Sequence, residues 1–215
     1  KLLTSAKAYL AKGELRPAVI ELKTSLQRRP DSPEARYLLG KALLASDEPV
    51  AAAIELRKAL ELKHPRDIVV PELARAMLTQ GQHSEVIRQY GDAALGDKEA
   101  VASLKTTIAL AHARSGAGAD AMATFKLALK AMPAYVPAQT GLARQLAVNG
   151  DPDAALKAAG DIIASGKADA EAWVLQGDLL AFAKNDKDGA IAAYRKAIGL
   201  TKNFVPAHAG IIQLQ

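Results

Sequence analysis

The sequence predicts an all-α fold, a solenoid of antiparallel helix pairs stacked on near-copies of themselves, and three observations predict it. The first is a period. Ala18, Ala52, Val86, Ala121, Ala155 and Ala190 follow one another in steps of 34 or 35 residues, and a second mostly small or apolar series recurs seven residues later at Ser25, Ala59, Ala93, Ala128, Ile162 and Ala197. The second is punctuation in the same frame: Gly13, Asp47, Gly81, Gly116, Gly150 and the stretch 184–186. The third is composition. Half of the 215 residues are hydrophobic but only 4% are aromatic, which suits helices packed closely through many small side chains. A helix pair of this length cannot cover its own apolar face, so it stacks on a copy, and the neighbours supply each other's core.

The period divides the chain into units at about 1–32, 33–66, 67–101, 102–135, 136–169 and 170–204, with the first helix of a truncated seventh unit at 205–215. In the first, Gly13 separates two helical patterns, Ala18 sits early in the second, and Pro30 closes the unit. The second opens on "SPEARYLLGKALLAS", where Asp31 or Ser32 caps a helix, Pro33 suits its first turn, and Leu38, Leu39, Ala42 and Leu43 recur at helical spacing. Its second helix, "EPVAAAIELRKALELKHP", repeats the pattern through Ala52, Leu56, Ala59 and Leu60, and Pro65 stops it. The third unit is the weakest. Val86 replaces its small residue, and an irregular loop follows. In the fourth, "SGAGAD" is a turn between helices, because its glycines follow a helix rather than a strand. The fifth opens on "YVPAQTGLARQL", and the same words return at the seventh as "FVPAHAGIIQLQ". The sixth holds Trp173 and Gly177, then Ala190, Tyr194 and Ala197. No segment alternates as a strand does. Gly40 and Gly177 are expected where helices cross at close range.

The spacing and these landmarks resemble the tetratricopeptide repeat, clearest in "AWVLQGDLL" and "GAIAAYRKAIGL" and again in "ARYLLGKAL" and "AAIELRKALEL". The resemblance implies a right-handed superhelix and an interaction role. Its structural positions here are Ala18, Gly40, Ala52, Ala59, Ala121, Ala128, Ala155, Trp173, Gly177, Ala190, Tyr194 and Ala197. The segment from "EARYLLGKALL" to "SEVI" also resembles the tetratricopeptide lipoprotein of bacterial exosortase and PEP-CTERM exopolysaccharide systems. That likeness implies a periplasmic scaffold, tethered to a membrane by an N-terminal lipid on a longer chain and linked to exopolysaccharide, protein sorting and biofilm. The chain begins at Lys1, already in helical pattern, as expected of a piece of a longer protein.

Function classes narrow accordingly. The chain has no Cys, which removes disulfides, thiol catalysis and Cys-bound metal. Its net charge of +5 is mild and scattered, with no basic block of the kind nucleic-acid binding uses. No apolar run is long enough to span a membrane. His64, His83, His112 and His208 lack metal-ligand spacing, and no nucleophile or phosphate-loop motif is present. No enzyme activity, metal or cofactor is expected.

The first helices of such repeats line the concave side. One residue per unit in the same frame gives Lys7, Lys41, Arg75, Leu110, Arg144 and Asp178, four of them basic, and Arg114 lies one turn beyond Leu110. Tyr37, Leu44, Leu78, Val148 and Phe182 lie one helical turn from this row. Lys7, Tyr37, Lys41, Arg75, Arg114, Arg144 and Phe182 are therefore the candidate binding residues, for an acidic extended peptide or an anionic polysaccharide. The competing expectation is a solvated stripe that keeps the protein soluble. Tetratricopeptide proteins that clamp chaperone C-termini use Asn with Lys and Arg. Here Asn149, Asn185 and Asn203 fall in turns, so that clamp is not expected. At the end of the chain, Ile211, Ile212 and Leu214 are expected to leave apolar surface, with end-to-end self-association or fraying as the consequence.

Overall fold

The structure, a computed structural model, describes residues 1–214. Among the described residues it contains thirteen α-helices and no strand. They are α1 (Leu2–Ala11), α2 (Leu15–Arg28), α3 (Pro33–Ala45), α4 (Pro49–Glu61), α5 (Arg66–Thr79), α6 (His83–Tyr90) and α7 (Lys98–Arg114), then α8 (Gly118–Ala131), α9 (Val136–Val148), α10 (Pro152–Ala164), α11 (Ala170–Lys184), α12 (Lys187–Leu200) and α13 (Val205–Leu214). The chain forms two compact units, Lys1–Ala111 and His112 onward.

The repeat frame has a backbone cause. At the turn between the two helices of each pair the chain needs one residue with positive φ to reverse direction. Gly13, Gly81, Gly116 and Gly150 supply it, with φ between 73° and 90°. Asp47 (φ 60°) and Asn185 (φ 54°) stand in the same place, as Asp and Asn tolerate this region better than other side-chain-bearing residues. Helix starts follow ordinary capping chemistry. Ser32, Asp151, Asp169 and Asp186 each accept a hydrogen bond from the backbone N–H three residues on, and Pro occupies the first turn of α3, α4, α9 and α10.

In the first unit, consecutive helices pack from α1 to α6, α3 also meets α5, and Leu104 and Ile108 of α7 join the same core. Ala18, Ala52, Ala59 and Val86 are fully buried. Gly40 serves as a socket: a Cβ there would lie 2.6 Å from Leu56 Cγ and 3.1 Å from the Ala52 carbonyl oxygen. The close approach expected at this glycine thus sets the backbone of α3 against both the Leu56 side chain and the Ala52 backbone of α4. Arg36, one turn before Gly40, pairs with Glu55 at 2.6 Å in a largely buried bridge.

The third pair departs from the pattern. Pro71 lies inside α5 and removes one backbone donor, and α6 has only eight residues. The loop 91–97 that follows is tied down by side chains instead. Asp67 Oδ1 and Oδ2 accept from the Gly96 and Asp97 N–H groups at 3.0 and 3.2 Å, Asp97 caps α7 through Ala100, and Lys105 Nζ donates to the Gly91 carbonyl at 2.7 Å.

In the second unit, consecutive helices pack from α8 to α13, with α9 on α11 and α11 on α13. Ala121, Ala128, Ala155, Ala190 and Ala197 are fully buried. Phe125 fills the space Gly141 leaves, so that any Cβ at 141 would collide with its ring. Tyr194 is held from two sides: a Cβ at Gly177 of α11 or at Gly210 of α13 would each come within 2.5 Å of the ring. On α13, Ile211 and Leu214 pack partly on this core, while Val205 and Ile212 stay exposed.

Candidate functional site

Exposed side chains of the first helices carry the charges that the sequence placed in one row. Within the first unit, Lys7 on α1 pairs with Glu34 on α3 at 2.5 Å, and Arg75 pairs with Glu72 one turn earlier on α5. Lys41 makes no ion pair among the described residues. The reason lies in the frame. Lys7 and Glu34 are 27 residues apart, and 27 residues beyond Lys41 stands Ile68 instead of a carboxylate. Tyr37 is stacked on His64, ring centroids 5.1 Å apart, so one face of the ring is already occupied. Burial, then the Glu72 carboxylate, raises the Tyr37 phenol above its ordinary pKa, and Arg75 opposes this. Burial also lowers the His64 imidazole, against the pull of Glu34.

Within the second unit, Arg144 on α9 pairs with Glu171 on α11 at 3.4 Å, again 27 residues on. Asp178 accepts a hydrogen bond from the Tyr194 hydroxyl at 2.8 Å, which gives it a structural task. Burial first, then Asp178, raises the Tyr194 phenol far above its ordinary value. Arg114 is exposed at the end of α7. Phe182 and Val148, 76% and 74% exposed, stand 34 residues apart near the ends of α11 and α9. Of the predicted binding residues, then, Lys7, Lys41, Arg75, Arg114, Arg144 and Phe182 are exposed, and Tyr37 is half-buried.

The sequence reading missed the carboxylates. Glu34 and Glu171 neutralise Lys7 and Arg144, and an acid 27 residues after a base was the available signal. Among the described residues, no three His, Cys, Asp or Glu side chains are arranged to hold a metal ion, and no helix is long and apolar enough to cross a membrane.

Helix pairs of 34 to 35 residues, keyed by a glycine on one helix and a large side chain on the next, define a helical-repeat protein of the interaction class. The chain belongs to the tetratricopeptide repeat family, which it matches over residues 3–65 and 140–203, more than half its length. No curated protein matches it by sequence. Among solved structures it is similar to PilF of Pseudomonas aeruginosa, with TM-score 0.66 and 18% identity over 99% of this chain and 96% of that one. It is similar to PilW, a widely conserved type IV pilus biogenesis factor, with TM-score 0.70 and 15% identity over 97% and 96% of the two chains. It is also similar to a chain of the APC/C hetero-tetramer Cut9–Hcn1, with TM-score 0.74 and 14% identity, covering 99% of this chain and 42% of that one. At these identities the likeness is one of fold.

Proposed function

We propose that this protein is a non-catalytic scaffold whose first-helix faces bind an extended, acidic peptide segment of a partner protein. The observation that carries the reading is the pairing of the row. Lys7, Arg75 and Arg144 already sit on glutamates. A polyanion gains affinity from unpaired cations and released counterions, and Lys41 in this row has no ion-pair partner among the described residues. Exposed ion pairs of this kind contribute about 0–1 kcal/mol, so a peptide carboxylate can replace a glutamate at small cost. Within the second unit, Val148 and Phe182 offer exposed apolar surface beside Arg144 for the apolar residues of such a segment. A sugar ring can stack on Phe182 but has no side chain to set against Val148, so the pair of apolar side chains favours the peptide.

For the setting we propose the periplasm, on a longer, lipid-anchored chain serving exopolysaccharide production or export, or PEP-CTERM protein sorting. The resemblance of residues 34–87 supports this. Two experiments test the reading. Calorimetry with a capped peptide of alternating aspartate and phenylalanine should give binding that Lys41→Glu, Arg75→Glu and Arg144→Glu together abolish, while a mannuronate hexasaccharide gives none. Glycan binding without peptide binding overturns it. Fractionation of cells making the full-length protein should place it in the membrane fraction facing the periplasm, and a cytosolic pool overturns the setting.

A further inference from the structure

A second surface uses none of that row's residues. In the second unit, the α10–α11 loop, the start of α11 and the end of α12 enclose a cleft of about 410 Å³. Its apolar wall is made by Ile163, Trp173 and Leu200, and Gly199 forms an open part of it. Arg195 and Lys196 stand on it from α12, both exposed. Neither makes an ion pair among the described residues, in contrast to Lys7, Arg75 and Arg144. Leu200 is 58% exposed, although it is a large apolar side chain at the end of a helix.

Trp173 packs with one side on the core of the second unit, and the residues around the cleft differ from those at the same frame in the second pair. Trp173 stands four residues before Gly177, as Arg36 stands four before Gly40. In the second pair that place is filled by the Arg36–Glu55 bridge. Three residues after the small residue of the second helix, where the second pair has Glu55, the sixth has Ala193. In the sixth pair an indole, at the repeat's own structural position, stands in the place of Arg36, no carboxylate occupies 193, and Arg195 and Lys196 beside it have no ion-pair partner among the described residues. An apolar side chain flanked by carboxylates matches both features, since the indole and Leu200 offer contact area and the cations offer charge complementarity.

We propose that the Trp173 cleft is a docking site for a short acidic segment of another protein, which inserts one aliphatic side chain against Trp173 and sets its carboxylates on Arg195 and Lys196. This site is independent of the first-helix row and uses none of its residues.

Trp173 is the only tryptophan in the chain, so intrinsic fluorescence reads this cleft directly. The probe is a capped pentapeptide of one leucine between two pairs of aspartates, titrated to about 1 mM, where weak binding is still measurable. Saturable change of the Trp173 emission is expected. Arg195→Glu with Lys196→Glu should weaken it by about tenfold or more, the equivalent of about 1.4 kcal/mol. Gly199→Leu should abolish it by filling the cleft. A Cβ at Gly199 meets nothing within 4 Å, so that variant is expected to keep its fold, checked by circular dichroism. The response should persist when Lys41, Arg75 and Arg144 are reversed, which separates this site from the row above. The proposal fails if no saturable response occurs or if Gly199→Leu binds as well as the parent. It fails too if the same peptide with asparagine for leucine binds equally. A response to a mannuronate oligosaccharide in place of the peptide, or to protein concentration alone, overturns it in favour of a glycan or a second copy.

Discussion

Tyr90 and Tyr194 hold the same place in two repeats, four residues after Val86 and Ala190, and both are buried. Their surroundings differ. Tyr194 lies between Gly177 and Gly210, and its hydroxyl donates to Asp178. The Tyr90 hydroxyl is buried with no hydrogen-bond partner among the described residues, its helix ends there, and the chain leaves through a loop pinned by Asp67. The sixth pair keeps its register by complementary shape and one charge-assisted hydrogen bond. The third, with a shortened second helix, keeps its register by side-chain bonds to a loop backbone. The frame of the repeat thus fixes where a large residue must go, and the neighbours decide what it gains there.

Truncation breaks the comparison most directly. Tyr194→Ala should cost about 3–5 kcal/mol, because a cavity opens between two helices, read by denaturant unfolding. Filling the socket from the other side is milder: Gly177→Ala, and likewise Gly40→Leu in the second pair, should cost about 1–3 kcal/mol by overpacking. An unchanged unfolding midpoint in either glycine variant contradicts the socket geometry.

The loop supplies the next effect. Asp67→Ala removes two hydrogen bonds to a charged acceptor and should cost about 1–2 kcal/mol at this exposed site. Amide exchange should speed up at 96 and 97 while that of α11 and α12 stays unchanged.

Deleting the two hydroxyls sharpens the contrast. Tyr194→Phe should lose about 1 kcal/mol with its bond to Asp178, whereas Tyr90→Phe should be neutral or gain slightly, since it removes a buried unpaired group. Equal effects in the two variants would mean that the two environments are alike.

The smallest effects are those of pH. A phenol raised in the folded state, as at Tyr194, binds its proton more tightly there than in the unfolded chain. Its stabilisation is complete below the ordinary tyrosine pKa of about 10 and falls as pH rises beyond it. Tyr194→Phe should flatten that alkaline decline. His64 has the opposite sign. Its lowered pKa gives stability present above the ordinary histidine value of about 6.5 and lost as pH falls below it, and His64→Gln should remove that part of the acid limb.

The period made much of this legible before any coordinates. All six turn positions read from Gly13 to the 184–186 stretch reverse the chain with a positive φ, and Ala18, Ala52, Ala121, Ala155 and Ala190 are fully buried, because spacing alone dictates both. What each glycine receives was not legible. Gly141 is an ordinary small residue in the sequence until Phe125, sixteen residues earlier, is seen against it. The charge state of the row was not legible either, since Lys7 and Arg144 are cancelled by residues on the next first helix. Nor did the sequence reading give Trp173 more than a structural place, because its cleft depends on a neighbouring loop and on what Ala193 does not supply.

The bridges from Lys7 to Glu34 and from Arg144 to Glu171 have a genealogical consequence. Each of these units carries half of a bond whose other half belongs to the next one. Only the unit 33–66 carries both halves, Glu34 and Lys41, so a duplicate of that unit alone would arrive already able to clasp a copy of itself. Where the acidic half is absent, as at Ile68, the positive charge of Lys41 is left to other partners.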